Sequence, residues 1–80
     1  MKENGYTMNK LDLHGMSHSD ALLAVENFVM VEAVDEFFSC KIITGNSLGM
    51  QSKVINEFLK PNNFKWYIPS WNLGEIIVSY

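Results

Sequence analysis

Eighty residues with 48% apolar and 19% charged side chains make one globular domain and are too few for two, because a chain this short buries only about 60–65% of its unfolded surface. That composition excludes a disordered chain. A net charge of −3 excludes a uniformly basic surface for gripping nucleic acid.

The charge is uneven. Residues 1–40 carry two Lys against seven Asp and Glu, whereas residues 41–80 carry four Lys against Glu57 and Glu75, so contacts to a polyanion are expected mainly on the second half. Cys40 is the only cysteine, which rules out an internal disulfide and a cysteine-based zinc site and points to a reducing, cytoplasmic setting. Met1-Lys2-Glu3-Asn4-Gly5 lacks the apolar run of a signal peptide, and no stretch approaches the ~18 apolar residues of a membrane span. A soluble protein with no membrane partner is expected, monomeric or weakly dimeric.

Residues 1–9 read as an N-terminal extension and 10–80 as the single domain. From Lys10 to His14 apolar and polar residues alternate, the period of a strand with Leu11 and Leu13 on a buried face and Lys10, Asp12 and His14 on the other. Gly15 lets the chain turn. Ser17 and Asp20 form a variant capping box that opens a helix. Ala21, Leu22, Val25, Phe28, Val29 and Ala33 then recur at spacings of three and four, predicting a core-facing helix from Ser19 to about Val34.

Cys40 to Thr44 reads as a second, mostly buried strand. The loop Gly45-Asn46-Ser47-Leu48-Gly49 offers turn residues and an N-cap, and Met50, Val54, Ile55 and Phe58 mark a second helix ending before Pro61. Phe64 to Ile68 alternates as a third strand, and the β-branched run Glu75 to Tyr80 forms a fourth, joined to the third as a long-looped hairpin. The predicted fold is an α/β two-layer sandwich of order βαβαββ, a mixed four-stranded sheet with both helices on one face. Lys10, Asp12, Lys41, Lys65 and Tyr67 are expected on its open face, either as a simple solvated surface or as a nucleic-acid contact.

Ligands of open α/β sheets collect at the C-terminal ends of parallel strands. One such end carries Asp12, His14 and Gly15, and the other Thr44, Gly45, Asn46, Ser47 and Gly49. His14 can exchange protons near neutral pH, and Asp12, two residues back on the same strand face, can orient its ring. The competing reading is that His14 merely caps a strand end. His18 falls in the first helical turn, a solvated position. The loop at 45–49 could aim backbone N–H groups at a phosphate, with Lys53 one turn away, or be an ordinary βα turn. It has no Gly-Lys-Ser/Thr ending and so is no nucleotide-binding P-loop. No cofactor motif and no convincing metal-ligand cluster is present in the sequence.

Leu11-Asp12-Leu13-His14-Gly15, Ala21, Ile42-Ile43-Thr44-Gly45 and Asn72-x-Gly74, in that order along the chain, resemble the Smr (small MutS-related) domain family from about Lys10 to Tyr80. The resemblance implies a βαβαββ sandwich akin to the C-terminal domain of a bacterial translation initiation factor. It also implies action on nucleic acid, as an endonuclease that nicks DNA or cuts messenger RNA on stalled ribosomes, with Asp12 and His14 carrying the chemistry. The second motif departs from the family's usual His-Gly-x-Gly: here it is Thr44-Gly45-Asn46-Ser47, which lacks an imidazole. Two functions are therefore expected to compete. One is a stand-alone domain binding RNA or DNA at an Asp12/His14 crevice and cleaving a phosphodiester, the loop at 45–49 holding the phosphate. The other is a non-catalytic adaptor that engages nucleic acid, the ribosome or a protein through its acidic first half or exposed aromatics such as Phe37, Phe38 and Trp71.

Overall fold

The computed structural model describes residues 8–80. Its elements are β1 (Asn9–Asp12), α1 (His18–Glu32), β2 (Ser39–Ile43), α2 (Leu48–Val54), β3 (Lys65–Tyr67) and β4 (Glu75–Ser79), the expected βαβαββ order. The extension at 1–9 lies outside the described residues except for Met8 and Asn9, and Asn9 already pairs with Cys40 as the first residue of β1.

The strands lie side by side in the order β1-β2-β4-β3. β1 runs parallel to β2, and β4 is antiparallel to both β2 and β3, which makes the sheet mixed. Register puts Asn9, Cys40, Val78 and Trp66 in one row, and Leu11, Ile42 and Ile76 in the next row of the same face. Cys40, Ile42, Ile76 and Val78 are fully buried and join one core with Ala21, Val25 and Val29 of α1 and Val54, Ile55, Phe58 and Leu59 of the second helical segment. Both helices therefore cover the same face. Each buried aliphatic side chain contributes about 1.5–3 kcal/mol there.

Local chemistry sets the helix ends. Ser17 Oγ accepts the Asp20 N–H at 3.2 Å, so α1 begins at His18. It stops at Glu32, short of the expected Val34, because the chain tightens into a turn in which Asp35 Oδ1 accepts the Phe37 N–H at 2.9 Å. Ser47 caps α2 by accepting the Met50 N–H at 3.1 Å. The predicted single second helix is instead α-helical to Val54 and π-helical over Ile55–Leu59. Lys60 N–H reaches back five residues to the Ile55 carbonyl at 2.9 Å, and the wider turn buries Ile55, Phe58 and Leu59 together.

The opposite face carries the expected Lys10, Lys41 and Tyr67 in one row, with Lys65 and Asp12 in the rows to either side. It is drier at its centre than the alternation implied. Ile77, between Lys41 and Tyr67, is only 4% exposed, and Glu75 is buried with its Oε2 3.5 Å from Lys41 Nζ. Phe38, expected among the exposed aromatics, is also buried, edge-on to Phe64 at 6.0 Å between ring centres. Phe37 and Trp71 are exposed.

Candidate functional site

The parallel strands end together. Asp12 is in register with Ile43, and the Leu13 N–H extends the pairing to the Ile43 carbonyl at 3.0 Å. Buried Leu13 anchors the chain there. Beyond it, the Met16 N–H closes a turn onto the Leu13 carbonyl at 3.1 Å, with Gly15 at φ +80° in the left-handed region that favours glycine. His14 sits at the corner of this turn and is exposed.

Asp12 does not hold the His14 ring. Its Oδ1 accepts the backbone N–H of His14 at 2.9 Å, so the carboxylate fixes the turn that presents the imidazole. The ring makes no hydrogen bond to another described residue. An exposed imidazole on a fixed backbone is fit to accept or donate a proton, or to meet a phosphate oxygen.

The second strand end serves a different purpose. Thr44 N–H and Gly45 N–H both donate to the Gly74 carbonyl, at 2.8 and 3.0 Å, and the Thr44 hydroxyl donates to the same oxygen at 3.2 Å. Gln51 Nε2 donates to Thr44 Oγ1 at 3.3 Å and to the Leu73 carbonyl at 2.9 Å. Thr44 is thus a buried structural node that staples the β2–α2 loop to the connection between β3 and β4, and neither its hydroxyl nor the Gly45 N–H is free for a ligand. Asn46 is exposed at the corner of the following turn, which the Ser47 N–H closes onto the Thr44 carbonyl at 3.4 Å.

Of the residues expected to form one crevice, Asp12, His14, Gly15, Thr44, Gly45, Asn46 and Ser47 lie at adjacent strand ends. Gly49 and Lys53 lie farther along α2, on a shallow groove shared with His18, Ser52, Asn56 and Glu57. Lys53 is held there by Glu57 at 3.1 Å, while the His18 ring packs over Gly49, its Cε1 3.4 Å from where a Cβ would stand. His18 is exposed in the first turn of α1, as expected. Sequence reasoning also missed Gln51, whose only signal is a polar side chain at a helix position that faces inward.

Another concavity, lined by Val31, Glu32, Asp35 and Phe37 among others, lies at the opposite end of the sheet. Its charged groups are carboxylates, which repel a phosphate. Among the described residues no three His, Cys, Asp or Glu converge as a metal site, and no helix is long and apolar enough to cross a membrane.

Comparison with curated proteins and with solved structures found no match. The family model of the Smr domain matches residues 11–69, a span that holds the end of β1, both helical segments, β2 and β3 and contains the His14 turn together with Thr44 and Gln51. The chain belongs to the Smr domain family.

Proposed function

We propose that this Smr domain binds a nucleic-acid phosphodiester at the paired ends of β1 and β2, and that His14 moves the proton in cleaving RNA there. The observation that supports it is the Asp12–His14 turn, in which a carboxylate, a glycine of positive φ and a buried leucine fix one exposed imidazole. Membership in the family places the chain in a class associated with nucleic acid and nuclease chemistry.

RNA suits a site with a single such group. Its 2′-hydroxyl is already beside the phosphorus, so positioning supplies much of the rate and one base suffices to start the reaction. His14 takes the hydroxyl proton, the 2′-oxygen bonds to phosphorus, and the 5′-oxygen leaves with a proton from solvent, giving a 2′,3′-cyclic phosphate and a free 5′-hydroxyl. DNA has no such internal nucleophile. A second reading, binding without cleavage, is favoured by one observation: the loop position where the family usually has histidine holds Thr44, and that hydroxyl is committed to Gly74 and Gln51.

Labelled single-stranded RNA and duplex DNA, incubated with the full chain and its variants, separate these readings. We expect RNA cleavage that falls about a hundredfold or more in His14→Ala. Asp12→Asn, which keeps an oxygen to accept the His14 N–H, should stay within several-fold of the parent, and Asp12→Ala should not. Cleavage indifferent to His14→Ala would sink the catalytic role, and RNA binding without any cleavage by the parent would leave the binding-only reading.

A further inference from the structure

The β3–β4 connection carries Trp71, a large aromatic 74% exposed, at the same end of the sheet as the His14 turn. We propose that Trp71 is a stacking platform for an unpaired nucleobase next to the bound phosphodiester, which makes single-stranded nucleic acid the ligand. This deepens the reading given under Proposed function and rests on it.

Three observations carry the inference. First, the connection is tied down. The Asn72 N–H closes a turn onto the carbonyl of buried Pro69 at 3.2 Å, placing Trp71 at its corner. Asn72 Oδ1 accepts the Gly74 N–H at 2.9 Å, and the Leu73 and Gly74 carbonyls accept from Gln51, Thr44 and Gly45. An aromatic so presented stacks on a base with little further loss of loop freedom.

Second, the staple fixes where the connection returns to the sheet. Leu13 pairs with Ile43, and Thr44 with Gly74, so the start of β4 lies two strand spacings, about 10 Å, from the end of β1. A strand of RNA whose phosphate meets His14 and which crosses the β2 end runs toward the connection that carries Trp71, within a few nucleotides.

Third, the chain's charge demands another source of affinity. With a net charge of −3 and Lys53 already paired to Glu57, phosphate attraction is weak. Stacking supplies affinity that does not depend on basic charge and tolerates any base sequence. It also requires bases that are free of a duplex.

The test is a fluorescence titration of the full chain with oligouridylate, oligoadenylate and an RNA duplex of matched length, since stacking quenches the indole. We expect saturable quenching by both single strands and little by the duplex. Trp71→Leu should bind on the order of tenfold more weakly and lose the quenching although Trp66 remains. Trp71→Phe should bind within several-fold of the parent, and both variants should melt as the parent does, because the side chain is exposed. Unchanged affinity in Trp71→Leu, with weakened binding in His14→Ala, would overturn the platform and leave the phosphate site standing, with Trp71 then free for a protein partner. Equal affinity for the duplex would overturn the preference for single strands. Failure of every oligonucleotide to bind would remove both the site and the platform.

Discussion

A Cβ placed on Gly74 would lie 2.7 Å from the Gly45 carbonyl oxygen and 3.0 Å from its Cα, and these are backbone atoms that cannot rotate away. Gly74→Ala must therefore push apart the two segments that the Gly74 carbonyl joins through three accepted hydrogen bonds. Overpacking of this kind costs about 1–3 kcal/mol. For a domain of this size we expect a melting temperature lower by about 10 °C, measured by circular dichroism, and weaker oligonucleotide binding because Trp71 is displaced with the connection. A variant that melts with the parent would show that the two loops are not held together. At this scale the sequence was partly readable. Asn72-x-Gly74 reads as a turn, and the Asp12–His14 pair reads as a site, because both are local patterns. That Thr44, Gln51 and Gly74 form one node could not be read, because it depends on residues up to thirty positions apart meeting at a single carbonyl.

Among the elements, β2 and β4 meet on the open face through one charged pair. Lys41 Nζ is 3.5 Å from Glu75 Oε2, whereas Glu75 Oε1 is buried without a hydrogen-bond partner among the described residues. A half-satisfied buried carboxylate depends on its remaining partner. Lys41→Met should accordingly destabilise the fold by about 2 kcal/mol, and adding Glu75→Gln should restore part of the loss by removing the stranded charge. Urea unfolding of the two single variants and the double variant gives the coupling, and strictly additive effects would show that the pair does not interact. The alternation in each strand was enough to assign Lys10, Asp12, Lys41, Lys65 and Tyr67 to this face. It was not enough to show that Ile77 and Glu75 are buried on it, because β4 is a central strand whose open-face side chains are covered by those of β2 and β3 beside it. The π turn at Ile55–Leu59 was hidden for a related reason: three inward positions within five residues satisfy an ordinary helical pattern almost as well.

At the scale of the whole molecule the chain is an Smr domain, of the nucleic-acid-binding, nuclease-like class, whose stability rests on a core centred on β2. Cys40 belongs to that core and is fully buried. Burial, aided by the negative charge of Glu32, pushes its thiol up from 9.0 to about 12. The folded state thus keeps a proton that the unfolded chain releases above about pH 9. Stability from this group is fully present below pH 9 and declines as pH rises from there toward about 12, with a slope approaching 1.4 kcal/mol per pH unit, roughly the free energy of one unit of pKa. Other groups titrate in the same range, so the comparison is with Cys40→Ala, which carries a fixed packing penalty but no thiol. The gap in unfolding free energy between parent and variant should be constant below pH 9 and narrow above it. A gap that stays constant to pH 11 would mean that the thiol ionises as readily in the folded protein as in the unfolded chain, and that the core at the start of β2 is open to water.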